Sequence, residues 1–227
     1  MGYDQTMFGR GAAASTCVLL WLSGCLESPP ADDSTGGDDG VDGGGCIQGD
    51  HPNEFDGPEA CVPWGSTSDT TATLSEDGAL SIILDDVAGE AYGGCYSYGL
   101  NALARGVTVE VSAVLEGEAA YTQVQAGEDG GPTDLTFMIT LPMIYAGTSS
   151  GTDHLEEYDP IAHRWLRIRS LGGQLLFEVS PDASEWTVFA DPPDPPPELV
   201  RINVNAGTHD RATTSGEARF ERVNTCP

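Results

Sequence analysis

Alternation of apolar and polar residues recurs along most of this chain and limits what it can fold into. It is clearest at 107–113, 175–179, 200–206 and 218–221. Successive side chains of a β-strand point to opposite sides, so each stretch predicts a strand with one buried and one solvated face. No stretch shows the 3.6-residue period of an amphipathic helix. The chain is therefore predicted to be built from strands.

Residues typical of turns separate these segments. The clearest are Ser75-Glu76-Asp77-Gly78, Gly172-Gly173 and Pro181-Asp182. Many short strands without helices predict a single all-β domain over residues 46–227, an antiparallel β-sandwich or jelly roll. No internal repeat stands out, which argues against a propeller.

The first 24 residues are typical of an export signal. Gly11 to Leu22 carries no charge but is shorter than the about 20 apolar residues that a bilayer span needs. Leu22-Ser23-Gly24-Cys25 follows and resembles the lipobox of bacterial lipoproteins, in which the Cys thiol takes a diacylglycerol. The resemblance implies a lipid on Cys25. The alternative is an ordinary secretory signal with a chance Cys.

Residues 26–45 are rich in Asp and Gly and almost free of apolar residues, which predicts a disordered tether. Asp38, Asp39 and Asp42 beside glycines could suggest a calcium loop, but the ligand alternation and closing Glu of an EF-hand loop are missing. One acyl chain holds weakly, so stable anchoring needs the further chains, such as palmitate, that lipoprotein maturation supplies. Leu26, rather than Asp, after the Cys resembles an outer-membrane sorting signal. We expect an exported protein anchored in the outer membrane or at the cell surface.

The charge excludes some partners. Lys plus Arg number 9, every one of them Arg, against 36 Asp plus Glu, a formal net charge of −27. Nucleic acid and anionic lipid both require a basic surface, so neither is an expected electrostatic partner. The excess of carboxylates indicates either a well-solvated acidic surface or cation binding at a carboxylate cluster.

Besides Cys25 and Cys17 of the signal, four cysteines remain: Cys46, Cys61, Cys95 and Cys226. An even number in an exported chain predicts two disulfides, for which three pairings exist. The cysteines form no CxxC, and the four histidines, at 51, 154, 163 and 209, form no ligand pair at helical or strand spacing. No metal and no cofactor is predicted.

One segment resembles a known family. Trp165-Leu166-Arg167-Ile168-Arg169, a glycine turn, and a strand ending in Ser180-Pro181-Asp182 with Trp186 behind it are similar to the concanavalin A-like lectin/glucanase jelly rolls. The nearest likeness is to a module of large bacterial surface proteins, the "regulation of enolase" type. Ala206-Gly207-Thr208 and Ala218-Arg219-Phe220 fit the last two strands. Ala183 departs from the pattern, because the family usually has Gly there.

The resemblance implies how the cysteines pair. In these jelly rolls the first and last strands are neighbours, which implies Cys46–Cys226. Cys61 and Cys95 would then flank the hairpin at Asp77-Gly78 and form the second bridge.

The resemblance also bears on function. Glucanases of this fold carry Glu-x-Asp-x-x-Glu on one strand, and Glu178, Asp182 and Glu185 do not have that spacing. We therefore expect a non-enzymatic recognition module for glycan, with an atypical glycan hydrolase or a structural or adhesion protein that binds another protein as alternatives. Tyr158, Trp165 and Arg167 are the candidate ligand-binding residues. The competing interpretation gives both tryptophans structural roles, with Trp186 placed in the core and Trp165 left open.

Overall fold

Fifteen β-strands make up the regular structure of the residues that the computed structural model describes, which are 49–56, 61–68, 72–76, 78–84, 89–117, 119–128, 131–209 and 216–225. In chain order they are β1 (Gly65–Ser68), β2 (Ala72–Glu76), β3 (Leu80–Leu84), β4 (Ala91–Tyr96), β5 (Asn101–Ala102), β6 (Val107–Ala113), β7 (Ala120–Glu128), β8 (Asp134–Thr140), β9 (Met143–Thr148), β10 (Gly151–Glu157), β11 (Trp165–Leu171), β12 (Gln174–Ser180), β13 (Thr187–Ala190), β14 (Leu199–Thr208) and β15 (Ala218–Val223).

The strands form two antiparallel sheets. One has eight strands in the order β1-β4-β14-β7-β8-β9-β10, with β5 also paired to β14; the other has seven in the order β13-β12-β11-β6-β15-β3-β2. Within the described residues there is no helix, and so none that could cross a membrane. The prediction of an all-β antiparallel sandwich is confirmed.

The predicted alternation is what builds the core. Along β6 and β11, residues such as Val109, Val111, Leu166 and Ile168 belong to a single hydrophobic cluster, together with residues such as Val204 from the other sheet. Their neighbours in sequence point away from the cluster. Each sheet therefore has an inner apolar face and an outer face, and the two outer faces have different chemistry.

Turn residues lie where the sequence predicts them. Gly172 and Gly173, with φ of 61° and 82°, join β11 to β12, and left-handed φ values at both positions suit glycine. The hairpin predicted in this part of the chain is also confirmed, because β2 pairs antiparallel with β3 and Gly78, with φ of 69°, lies between them.

A buried amide joins the two ends of the described chain. Asn224, 1% exposed, accepts a hydrogen bond from the Thr108 N–H through Oδ1 and donates Nδ2 to the carbonyl of Asp50 and to Asn101 Oδ1. Asn53 bridges to Val223 next to it. The start and end of the domain are therefore neighbours.

One predicted disulfide is confirmed. Cys61 and Cys95, both fully buried, are bonded with Cα atoms 5.3 Å apart. The predicted Cys46–Cys226 bridge, the export signal, Cys25 and the tether all lie outside the described residues.

Candidate functional site

Two of the sequence-predicted ligand residues lie together, on the outer face of the seven-stranded sheet. Trp165 and Arg167 both point outward from β11, since Leu166 between them and Ile168 after them belong to the core. Trp165 is only 3% exposed, so its ring has no open face on which a sugar could stack. Trp186 is the half-buried tryptophan, which reverses the expectation that placed it in the core.

Arg167 is engaged by other protein groups. Its Nε donates to Glu178 Oε2 at 2.7 Å, and its guanidinium lies 3.9 Å from the centre of the Trp186 ring. Burial lowers the pKa of Arg167, and the Glu178 carboxylate opposes that shift. Arg169 pairs with the same carboxylate. Arg167 is therefore held between a carboxylate and an aromatic ring of the protein itself.

A second buried carboxylate has the same arrangement. Glu110 on β6, opposite Trp165 in register, pairs with Arg164 at 2.7 Å and with Arg222 at 2.9 Å. Further along β15, Arg219 pairs with Glu221. We call this surface the arginine–glutamate face; its members are Glu110, Arg164, Trp165, Arg167, Arg169, Glu178, Arg219, Glu221 and Arg222.

The turn after β12 explains the family motif in physical terms. Ser180 Oγ accepts the N–H of Ala183, and Asp182 Oδ1 accepts the N–H of Ser184. The hydrogen bonds that the Asp182 carboxylate accepts, that of the Ser184 N–H first among them, lower the pKa of Asp182. Ala183 has φ of 61°, the left-handed conformation that glycine adopts without cost. The glycine usual in the family is therefore replaced by a residue under backbone strain.

The third predicted ligand residue lies elsewhere. Tyr158 packs against the core cluster, and burial, with a smaller contribution from Asp159, raises its pKa to about 12. Its ring centre is 5.8 Å from that of His163. The fold therefore does not bring Tyr158 to the face that carries Trp165 and Arg167.

Two histidines that are scattered in sequence meet at one carboxylate. His163 Nε2 is 2.9 Å from Glu156 Oε1, and His154 Nε2 is 3.2 Å from Oε2. The Asp159 N–H donates to His163 Nδ1, so the ring proton of His163 is on Nε2 and points at Glu156. Nε2 then has no lone pair for a metal. Among the described residues, no group of three or more His, Cys, Asp or Glu side chains is arranged to hold a metal ion.

The outer face of the eight-stranded sheet is different. It is lined mainly by uncharged polar and aromatic side chains, with one methionine among them, and we call it the tyrosine–amide face; its members are Tyr92, Tyr96, Tyr121, Gln123, Gln125, Thr136, Met138, Tyr145, Asn203 and Asn205. In register, Tyr96, Asn203, Gln125 and Thr136 form one row across four strands. Asn205, Gln123, Met138 and Tyr145 form the next.

Glycines let these side chains lie flat on the sheet. A Cβ on Gly94 would sit 2.6 Å from Asn205 Cβ, and one on Gly65 would sit 2.4 Å from the Tyr96 ring. Gly207 accommodates Tyr121 in the same way. In each pair a side chain from one strand covers a glycine on the next strand, so its polar edge or ring stays near the surface.

Exposure and unused hydrogen-bonding groups meet on this face. Tyr98, which follows β4, is 63% exposed and braced edge-on by Tyr96, with ring centres 5.5 Å apart. Asn203 Oδ1 is buried without a partner, and within the described part of the chain no side-chain hydrogen bond is recorded for Gln123, Gln125 or Asn205. Sequence reasoning missed these amides, although their alternation with core residues of β7 and β14 was visible.

The two central rows contain no carboxylate among their described members. The charged residues of this face stand at its margins: Arg201 and Asp134 flank Gly127 in the next row, and Glu157 lies on the edge strand β10. Gln123, Gln125 and Glu128 do repeat the spacing Glu-x-Asp-x-x-Glu, but amides stand at its first two positions. Glycoside hydrolysis by the usual route needs a pair of carboxyl groups flanking the bond.

Comparison with known proteins identifies the architecture. No protein-family model matches the chain, and no curated protein does. Several solved structures match over most of their length. One is a native glycosidic hydrolase, with a TM-score of 0.52 and 13% identity over 78% of this chain and 96% of that one. Two others are the Ca²⁺/Man2-bound exoplasmic/lumenal domain of VIP36, with a TM-score of 0.51 and 13% identity over 76% of this chain and 86% of that one, and a β-1,3-1,4-glucanase (lichenase) from a mouse hindgut metagenome, with a TM-score of 0.50 and 12% identity over 76% of this chain and 96% of that one. The chain has the lectin/glucanase jelly-roll fold. At this identity the likeness shows the fold of the jelly roll alone, because one fold hosts many activities.

Proposed function

We propose that the jelly-roll domain is a non-enzymatic recognition module for glycan and that it binds on the tyrosine–amide face. The observation that supports this most directly is the group of four amides in the two central rows, Asn203, Asn205, Gln123 and Gln125, which have no side-chain hydrogen bond within the protein. Each side-chain amide can donate hydrogen bonds through its NH₂ group and accept them at its oxygen. A sugar hydroxyl can also both donate and accept, so the two groups can pair in either direction. Tyr98 adds an exposed ring that contacts Tyr96, the neighbour of Asn203 in register.

Two features support binding over hydrolysis. The central rows of this face carry amides where acid–base chemistry needs carboxyl groups. On the opposite sheet, the carboxylates of Glu110 and Glu178 are each paired with two arginines, so neither is free to approach a glycosidic bond. The alternative of an atypical glycan hydrolase predicts release of reducing sugar from laminarin, agar or peptidoglycan by the purified protein.

A glycan array tests the proposal. The probe is the mature chain carrying Cys25→Ser, which keeps the protein soluble. We expect binding, its loss in Tyr98→Ala and Asn205→Ala, and its retention in Val188→Ala, an exposed residue of the opposite sheet (52%). An array without signal would favour the remaining alternative, a structural or adhesion role with a protein partner.

The location is a proposal of its own. We propose that a lipid on Cys25 anchors the protein in the outer membrane or at the cell surface, on the strength of the lipobox-like Leu22-Ser23-Gly24-Cys25. Cys25→Ser is expected to stop incorporation of labelled fatty acid and to release the protein into the soluble fraction or leave it unprocessed. Incorporation into the Cys25→Ser protein would contradict the assignment.

A further inference from the structure

We infer that the tyrosine–amide face selects uncharged polysaccharide over anionic polysaccharide, and that four amides on β7 and β14 make the selection. This inference rests on the proposed function and adds the chemical class of the ligand. The four residues, which we call the amide quartet, are Gln123, Gln125, Asn203 and Asn205.

The quartet forms a compact rectangle. Asn203 is opposite Gln125 and Asn205 is opposite Gln123, on neighbouring strands with all four side chains outward. Paired positions on neighbouring strands lie about 5 Å apart, and successive outward positions along one strand about 7 Å apart. Four amides are therefore within reach of neighbouring hydroxyls on one extended chain.

The positions of these side chains are set before any ligand arrives. Asn205 is 6% exposed and lies over Gly94, where any larger residue would collide with it and with the Val204 carbonyl. Asn203 Oδ1 has no partner, and the broad torsion of an Asn amide lets it turn to one. A hydroxyl can donate to this acceptor and also accept from the amide NH₂.

An anionic group cannot satisfy the same quartet. Carboxylate and sulfate oxygens only accept hydrogen bonds, so they leave the four amide oxygens unpaired. A site whose polar groups are left unpaired rejects the mismatched ligand. The only cation on the described part of this face is Arg201, at its margin, and it donates to the Tyr98 carbonyl. The formal charge of −27 adds long-range repulsion of any polyanion, which salt screens.

Affinity electrophoresis of the Cys25→Ser mature chain tests the inference. The gels contain a β-glucan, a mannan or dextran, each compared with its own carboxymethylated derivative, at low and at high salt. We expect at least one neutral polymer to retard the protein. Its carboxymethylated derivative should bind at least about tenfold more weakly, and this difference should persist at high salt. Gln125→Leu should weaken the neutral interaction about tenfold, while Gln174→Leu, an exposed glutamine of the opposite sheet, should not.

Different outcomes overturn different statements. Equal or stronger binding of the carboxymethylated polymer overturns the inference and leaves the proposed function standing. Discrimination that vanishes at high salt overturns the role of the quartet, because long-range charge would then explain it. Retardation by no polymer overturns the proposed function and this inference together. Denaturant midpoints of both Leu variants within the error of the parent confirm that folding is not the cause.

Discussion

On the outer face of the seven-stranded sheet, the carboxylates of Glu110, Glu178 and Glu221 are matched by arginines, whereas on the eight-stranded sheet four amides have no recorded protein partner. On the first face each of these carboxylates is paired within the protein, although two buried atoms, Glu110 Oε2 and Arg169 Nε, take part in ion pairs without a hydrogen bond. The second has donors and acceptors left over at positions fixed by the strands. The two sheets of this jelly roll therefore differ in where their polar groups are engaged: by arginine–carboxylate pairs of the protein on one, and by no protein side chain at the amides of the other, which is why we place the proposed binding there.

The two faces should also respond differently to substitution. Removing one partner of a buried ion pair takes away charge compensation from a carboxylate that water solvates poorly. Substitutions of the arginines on the seven-stranded sheet should therefore lower the unfolding free energy. Removing an amide that has no protein partner leaves no group of the protein unpaired. Substitutions of these amides should therefore change the unfolding free energy little, while they abolish the proposed ligand binding. The predictions below test this contrast.

Arg167→Ala is expected to cost about 3 kcal/mol of unfolding free energy, because it removes one of the two arginine partners of Glu178, whose side chain is 3% exposed, and the packing of the Arg167 guanidinium on Trp186. Urea denaturation of wild type and variant measures the loss. The matched control is Arg105→Ala, which breaks an exposed pair with Asp50 and should cost no more than about 1 kcal/mol. Equal costs for the two variants would show that burial of the pair does not matter.

Trp165→Ala is expected to cost about 3–5 kcal/mol, as for other buried aromatic residues, without changing glycan binding of the folded fraction. Trp186→Ala should cost about 1–2 kcal/mol, since the half-buried ring mainly loses its contact with Arg167. Thermal and urea unfolding compare them. If Trp165→Ala is stable but does not bind, Trp165 is a ligand platform after all.

Acid should weaken the arginine–glutamate face. Burial alone would raise the pKa of Glu221, but hydrogen bonds from Ser112 and Arg219 and the arginine charges leave it below the ordinary value of 4.5. A carboxyl whose pKa is lower in the folded protein stabilises the fold. This stabilisation is complete above the ordinary pKa and is lost as the pH falls from there through the folded pKa. Denaturant midpoints measured from neutral pH downward should fall, and less so in Glu221→Gln. Binding through amides should not change before unfolding begins.

Ala183→Gly is expected to stabilise the protein by about 0.5–1 kcal/mol, because it removes the Cβ from a residue held at φ of 61°. The gain is small because Ala183 is 1% exposed and its buried methyl is lost. Ala79→Gly, also buried but without a positive φ, is the control and should destabilise. A stability loss at both positions would mean that the turn is not strained.

Gln125→Leu is the smallest change expected, within about 0.5 kcal/mol of the wild-type unfolding free energy, because the side chain has no recorded protein partner. Its effect should appear in ligand binding instead. A destabilisation as large as that of Arg167→Ala would erase the contrast between the two faces.

Much of the fold could be predicted because it depends on local rules. The alternation in 107–113 and 200–206 dictates which side chains face the core, and Gly172-Gly173 dictates a tight turn, whatever the rest of the chain does. The motif from Trp165 to Trp186 predicts two strands joined by a glycine turn, followed by a second turn at Ser180 and Asp182. That second turn is predictable because both side chains accept hydrogen bonds from backbone N–H groups two or three residues further along the chain.

The candidate site could not be predicted in the same way. Trp165 and Trp186 look equivalent in sequence, yet one is covered and the other half-open, because cover is supplied by residues distant along the chain, such as Arg222 over Trp165. Gln125 and Asn203 are 78 positions apart by their numbers, and only the pairing of β7 with β14 makes them neighbours. His154 and His163 likewise meet only through Glu156.

By itself, then, the sequence determined the all-β class, the turns and the inward or outward direction of side chains along the strands that alternate clearly, since these follow from φ, ψ and the two-residue period of a strand. Only the tertiary structure decided which outward residues share a face, which carboxylates are held by arginines and which amides have no partner. Those properties depend on strand order and register, and both are set by contacts between residues far apart in the chain.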